Sequence, residues 1–92
     1  MVDGINSAIK PTAVTVGATA TAIPATARKG RKSILVKNVG DASVYFGDDT
    51  VTTANGYPVA ANGILELDLG ENVVLYGIVA TGTQEVRILE GV

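Results

Sequence analysis

The sequence contains no cysteine, no histidine and no tryptophan, and it has a single phenylalanine. Without cysteine, neither a disulfide framework nor a thiolate metal site can form. The lack of histidine removes the commonest general base and the commonest metal ligand together. We therefore predict a protein that is not an enzyme, that binds no cofactor or metal, and that is stabilised by packing.

Long hydrophobic runs are also missing. The longest apolar stretch, residues 73–80, is far shorter than the roughly 20 residues that cross a bilayer. The first ten residues contain Asp3 and Lys10 with no apolar run between them. We therefore expect a soluble protein without a signal peptide and without a membrane partner.

What the chain does contain is typical of β-structure. Apolar residues make up 47% of the 92 residues, they are chiefly Val, Ile, Leu and Ala, and eleven glycines separate them. One domain of this length buries only about 60–65% of the surface that its unfolded chain exposes. Association with a partner would therefore help to stabilise it.

Charge is distributed unevenly along the chain. Residues 1–40 carry six basic and one acidic side chain, whereas residues 41–92 carry one basic and eight acidic ones. If the two halves lie apart in the fold, the molecule has a basic side and an acidic side that favour one orientation on a partner. If the halves interleave in one sheet, the charges neutralise each other. The sequence leaves both possibilities open.

Alternating apolar and polar residues, separated by Gly, Asn and Pro, predict a series of short strands. In "SILVKNVG", Ile34, Val36 and Asn38 face one way, and in "ILELDL" the three leucines point inward. We predict a turn at Asp48-Asp49 that joins two strands, and a meander formed by the last three strands. Two short strands are predicted within residues 12–27. Further strands are predicted at residues 33–40, 43–47, 50–53, 64–69, 73–80 and 84–89, with an edge segment or loop at "YPVAA".

No segment has helical periodicity, so the predicted fold is all-β. We expect a small antiparallel β-sandwich, or a jelly-roll-like barrel, of seven to eight short strands. Residues 1–11 show no periodicity and end at Pro11, so we assign them to an N-terminal arm in which Ile5 and Ile9 belong to no strand. Residues 12–92 then form a single domain.

Three groups of polar and aromatic residues are candidate sites. Asp48-Asp49 is interpreted as turn chemistry, because calcium needs six to eight oxygen ligands from a spaced set of residues. The basic cluster of residues 28–32 is either a solvated turn or a contact for an acidic protein, and the pI of about 4.8 argues against nucleic acid. Tyr45 and Tyr57 could form a sugar-stacking platform, which makes a carbohydrate-binding module an alternative, whereas Tyr76 is predicted to lie in the core.

Residues 31–90 resemble a small β-domain of tailed-bacteriophage virions. The segments that carry the resemblance are "SILVKNVGDASVYFG", "VTTANGYPV" and "ILELDLGENVVLYGIVATGTQEVRILE". They are similar to head decoration or cement proteins and to the capsid-proximal domains of head fibres. The resemblance covers about two thirds of the chain. It lies in residues that are predicted to form strands and turns, not in catalytic residues.

The resemblance implies a structural virion protein that binds the outer capsid surface and stabilises the shell, made in the bacterial cytoplasm. The expected partners are the major capsid protein and further copies of the chain, often as a homotrimer. No nucleic acid or small-molecule substrate is expected. A head-fibre base and a tail component remain alternative positions. The residues that we expect to contact the capsid or a neighbouring subunit are Ile5, Ile9, Lys10, Arg28, Lys29, Arg31, Lys32, Tyr57 and Pro58.

Overall fold

The computed structural model describes residues 8–92, and these residues form eight β-strands and no helix. Within this range no helix is long and apolar enough to span a membrane. The strands are β1 (Ile9–Val16), β2 (Thr21–Ile23), β3 (Ser33–Asn38), β4 (Val44–Gly47), β5 (Tyr57–Val59), β6 (Ile64–Leu67), β7 (Leu75–Ile78) and β8 (Gln84–Gly91).

The strands form two four-stranded antiparallel sheets that pack face to face. The first sheet has the order β1-β8-β3-β6 and the second has the order β2-β7-β4-β5. The core lies between them. The all-β prediction is therefore confirmed, and the architecture is that of a small β-sandwich.

The alternation in β3 and β8 fixes which face of the first sheet is buried. In β3, Ile34, Val36 and Asn38 are fully buried, whereas Leu35 and Lys37 face outward. In β8, Val86 and Ile88 lie opposite Asn38 and Val36 on the same inner face. These positions agree with the orientation predicted from the sequence, because side chains alternate between the two faces of a strand.

The second sheet contributes Val44, Phe46 and Leu75 to the core from its inner face. Gly77 of β7 lies under this cluster, where a Cβ atom would stand only 2.6 Å from Cδ1 of Ile23. The absence of a side chain at this position lets the two sheets approach closely. β7 lies between β2 and β4 and is thus a central strand of the second sheet.

The predicted meander is wrong. β6 pairs with β3 in the first sheet, β7 lies in the second sheet, and β8 returns to the first sheet between β1 and β3. Residues 68–74 form a loop long enough to cross between the sheets instead of a tight hairpin. Alternation specifies the inner face of a strand but not the sheet that it joins, which explains the error.

Two further local predictions differ from the structure. Residues 50–53 form no strand; Val51 is buried within a loop, and the partner of β4 is β5. Tyr76, predicted to be a core residue, lies half-buried on the outer face of the second sheet, opposite Ala22 and Gly47.

The sheet also begins earlier than the sequence indicated. β1 starts at Ile9, so residues 9–11, which we assigned to the arm, pair with β8 through Ile9–Gly91 and Pro11–Leu89. Residues 1–7, including Ile5, lie outside the described residues. The domain boundary at residue 11 is therefore not the start of the first sheet.

The basic and acidic halves of the chain interleave. β1 and β3, from the basic half, lie next to β8 and β6, from the acidic half, within one sheet. Of the two arrangements that the charge asymmetry allowed, the structure has the neutralising one.

Candidate interaction surface

The contact residues predicted from the sequence do not form one surface. Ile9 and Lys10 are exposed at the start of β1, which is one edge of the first sheet. Tyr57 and Pro58 are exposed in β5, which lies beside β6 on the opposite side of the sandwich. The structure therefore places these four residues at two separate edges of the sandwich.

Arg31, another of the predicted contact residues, is buried. Its Nη1 donates to Oε2 of Glu90 at 2.9 Å, and only 1% and 0% of the two side chains are exposed. Its Nε donates to the carbonyl of Leu69 at 3.0 Å, and its Nη2 donates to the carbonyls of Gly70 and Val73 at 3.0 and 2.7 Å. The predicted surface contact through Arg31 is thus corrected: Arg31 ties the loop between β6 and β7 to β8.

The rest of the basic cluster surrounds this buried pair. The backbone N–H of Arg28 also donates to Oε2 of Glu90, at 3.0 Å, and the N–H of Gly30 donates to Oε1 of Glu71 at 2.8 Å. The Lys29 and Lys32 side chains are exposed, and the Arg28 side chain is half-buried. The cluster is therefore mainly a structured loop, and its exposed charges are those of the two lysines.

An unpaired buried acceptor remains beside Arg31. Oε1 of Glu90 and Nε of Arg28 have no hydrogen-bond partner within the described residues, and neither does the hydroxyl of Thr12. Thr12 lies opposite Ile88 in the β1–β8 ladder, on the same face as Glu90. This end of the core is therefore its most polar part.

The sugar platform predicted from the tyrosines is not assembled. Tyr45 lies half-buried on the outer face of the second sheet, next to Ile78. Tyr57 pairs with the inward-facing Phe46 and lines the groove between the sheets, with 65% of its surface exposed. The two rings consequently lie on opposite faces of the second sheet.

Asp48 forms a turn, as predicted from its sequence. Its Oδ1 accepts hydrogen bonds from the hydroxyl of Thr50 at 2.6 Å and from the N–H of Thr50 at 2.9 Å. The Thr50 hydroxyl, and then the Thr50 N–H, lower the pKa of Asp48 below its ordinary value because both favour the charged carboxylate. No group of three or more metal-ligating side chains occurs within the part of the chain that the structure describes.

A largely apolar exposed area lies on the outer face of the first sheet. A shallow depression of about 430 Å³ runs across β1, β8, β3 and β6. The register aligns Pro11, Leu89 and Leu35 in one row and Ala13, Arg87, Lys37 and Ile64 in the next. We call this area the outer face. Its side chains that are both apolar and prominently exposed are Ile9, Leu35, Ile64 and Leu89.

The outer face also carries charge. Lys37 and Arg87 lie directly opposite each other in the β3–β8 ladder, an arrangement that is unfavourable for like charges. The Arg87 Nε donates to Oε2 of Glu85 on the same strand. The cation of Lys37 therefore projects from an apolar surface where an acidic group of a partner would be favourable.

Sequence reasoning found Ile9 but missed the rest of the outer face. Leu35 and Leu89 were recognised as strand residues, yet their outward orientation was not connected across strands, because the register was unknown. A second missed signal was Glu90, which continues the inward alternation of Val86 and Ile88. That alternation alone predicts a buried carboxylate, and a buried carboxylate needs a cation nearby.

Comparisons with protein-family models, curated proteins and solved structures found no match for this chain. The features available for a functional interpretation are therefore geometric: an apolar outer face with charges of both signs, an apolar groove at one side of the sandwich, and a buried ion pair.

Proposed function

We propose that this chain is a structural virion protein, a bacteriophage head decoration protein that binds the outer capsid surface and stabilises the shell. The observation that carries the proposal is the outer face, an apolar area on a rigid sheet. The resemblance of residues 31–90 to small virion domains supports the same role. The proposed location is the capsid surface, and the partner is the major capsid protein.

The outer face has the chemistry of a protein-binding surface. Ile9 and Ile64 are 55% and 61% exposed, and Leu35 and Leu89 are each 36% exposed. Covering side chains of this size contributes up to about 1.5–3 kcal/mol each. Association costs several kcal/mol in lost translational and rotational freedom, so a single small face binds weakly unless several copies act together.

This balance favours a homo-oligomer on the shell. A trimer presents three copies of the outer face to a repeating lattice, and linked sites bind far more tightly than separate ones when their geometry matches. We therefore propose a homotrimer on the capsid.

The charges of the outer face would also affect the rate at which the protein binds the shell. Arg87 is paired with Glu85, so Lys37 is the cation of the outer face that would attract an acidic group of the shell. Such charges act mainly on the association rate and its salt dependence. The apolar side chains would then supply most of the affinity. Binding should accordingly slow as salt is raised but persist near 1 M, where the screening length is about 3 Å.

Purified heads that lack decoration provide the test. We expect the double variant Leu35→Asp/Leu89→Asp to lose at least tenfold in affinity for heads, because it places two charges in the apolar contact. The matched control is Val74→Asp, which places a charge at an exposed apolar residue outside the outer face, in the loop between β6 and β7. The control should bind like the unchanged protein.

Equal binding by both variants would contradict the outer face as the docking surface. Failure of the unchanged protein to bind heads, with no rise in head stability to heat, would contradict the virion role itself. Far-UV circular dichroism of each variant verifies that the sandwich is intact.

A further inference from the structure

The four edge strands of the sandwich differ in how they are protected. β1 contains Pro11, β5 contains Pro58, and the three-residue β2 is followed at once by Pro24. These are the three prolines of the chain. Proline lacks the N–H that an added strand would need, so these edges resist further pairing. β6 is the remaining edge, and it has no proline in it or directly after it.

The free side of β6 has hydrogen-bonding groups available. The N–H of Leu69 donates to the carbonyl of Lys32, and the N–H of Asn38 donates to the carbonyl of Gly63. Bonded pairs alternate in an antiparallel ladder, so the odd-numbered residues of this strand bond to β3. The N–H and C=O groups of Ile64 and Glu66, and of Asp68 just beyond β6, consequently point away from β3. No strand within residues 8–92 pairs with that side.

An apolar groove lies directly beside this edge. It has a volume of about 420 Å³, and it opens between β6 of the first sheet and β5 of the second. Leu65 and Leu67 face it from β6 and are only half-buried, although they pack against the core. The side chains and backbone that line the groove are those of Phe46, Gly47, Tyr57, Leu65, Leu67 and Leu75.

The charges of the edge select among possible occupants. Glu66 and Asp68 are exposed on the outward side of the same segment, alternating with the inward leucines. If residues 64–68 of a second copy paired antiparallel with this segment over its full length, Glu66 would lie opposite Glu66 of that copy. Like charges placed opposite each other destabilise a sheet. A strand with basic residues at these positions would instead be attracted.

We propose that β6 is a binding site for an extended strand of a partner protein in which apolar and basic residues alternate. The strand adds to the first sheet beside β6. Its backbone bonds to Ile64, Glu66 and Asp68, its apolar side chains enter the groove, and its basic side chains face Glu66 and Asp68. This is recognition by strand addition, in which backbone bonds give affinity and alternate side chains give specificity. The groove lies on the inner side of β6, whereas Ile64 and Glu66 also border the outer face, so the two sites adjoin along β6. The strand site does not depend on the virion role.

Backbone amide exchange measured by NMR on the isotope-labelled full chain tests the site. The probe is the capped synthetic peptide Lys-Val-Lys-Val-Lys-Val. We expect exchange at the amides of Ile64, Glu66 and Asp68 to slow about tenfold at a peptide concentration ten times the Kd. The amides of Leu65 and Leu67 already bond to β3, so their exchange should change much less.

Two control peptides separate strand addition from charge attraction alone. Lys-Lys-Lys-Val-Val-Val has the same composition without alternation, and Glu-Val-Glu-Val-Glu-Val has the alternation with the opposite charge. Neither should protect the outward amides. Equal protection by either control peptide, or protection of another strand by the alternating basic peptide, would overturn the proposal.

Two variants of the protein complete the test. Glu66→Pro removes an outward N–H and the Glu66 carboxylate but none of the backbone groups that bond to β3, so the β3–β6 ladder should persist while peptide binding falls at least tenfold. Glu66→Lys/Asp68→Lys retains every backbone group and should reverse the preference, binding the acidic peptide and not the basic one. Unchanged peptide preference in the lysine variant would overturn the assigned role of these carboxylates, and this variant stays informative if the proline variant unfolds.

Discussion

Replacing Glu90 by Gln tests the buried ion pair most directly. The change keeps the size of the side chain but leaves the guanidinium of Arg31 buried without its carboxylate. Removal of one partner from a buried pair typically costs about 3–5 kcal/mol. A domain of this length has a free energy of unfolding of about 5–14 kcal/mol, so the loss would be a large share of the total.

The assay is urea unfolding followed by far-UV circular dichroism, because the chain has no tryptophan to report on the core. A loss of about 3–5 kcal/mol should also lower the Tm by roughly 12–40 °C, since each kcal/mol shifts the Tm of a small domain by about 4–8 °C. Glu90→Gln should unfold at a much lower urea concentration than the unchanged protein.

The matched control lies on the same strand. Glu85 pairs with Arg87, but 42% and 63% of these two side chains are exposed. Exposed pairs contribute about 0–1 kcal/mol, so Glu85→Gln should change stability only slightly. If Glu85→Gln and Glu90→Gln had equal effects, the argument from burial would be refuted.

A double-mutant cycle of Arg31→Met and Glu90→Gln measures the interaction free energy between the two side chains. Arg31→Met also removes the donors to three carbonyls of the loop between β6 and β7, so it should cost at least as much as Glu90→Gln. Combined with Glu90→Gln, it should cost about 1–3 kcal/mol less than the sum of the two single changes. Strict additivity would mean that the two side chains do not interact in solution.

Two further predictions concern a core glycine and the Asp48 turn. Gly77→Ala should destabilise the protein by about 1–3 kcal/mol in urea unfolding, because its Cβ would crowd the buried Ile23, whereas Gly70→Ala meets open space and should be nearly neutral. The carboxyl of Asp48 should titrate below its ordinary pKa by NMR and return toward that value in Thr50→Val. Because the pKa is lowered on folding, the turn's contribution to stability is present above about pH 4 and is lost as the pH falls through the folded pKa. An unshifted pKa in the unchanged protein, or equal effects of the two alanine variants, would contradict these arguments.

Local periodicity predicted most of the fold because the inner face of each strand is set by residues two apart. The orientations of Ile34, Val44 and Val86 follow directly from that alternation. Proline and glycine signals also placed the turns near their observed positions. What periodicity could not supply was pairing between distant strands, which depends on packing between segments far apart in the sequence.

In the candidate sites too, contacts between residues close in the sequence were predicted and contacts between distant residues were not. The turn at Asp48 was predicted because its hydrogen bonds are made within two residues. The burial of Arg31 was not predicted, because its partners Leu69 and Glu90 are 38 and 59 residues away. A cluster of charges in a sequence is therefore interpreted as solvent-exposed, because a buried partner far away in the sequence cannot be identified from it.

The buried polar side chains explain why the chain alternates between sheets and does not form a meander. Asn38 donates to the carbonyls of Ala42 and Val59 at 2.8 and 3.0 Å, which ties β3 of the first sheet to the loop before β4 and to β5 of the second sheet. Arg31, at the other end of β3, satisfies the carbonyls of the loop that leaves β6 for β7. A segment that leaves a sheet loses its ladder partners, and its buried carbonyls then need other donors. The two side chains supply those donors at opposite ends of one strand. The free-energy cost of burying the carbonyls of the crossing loops is therefore lower than it would be if apolar residues replaced Asn38 and Arg31.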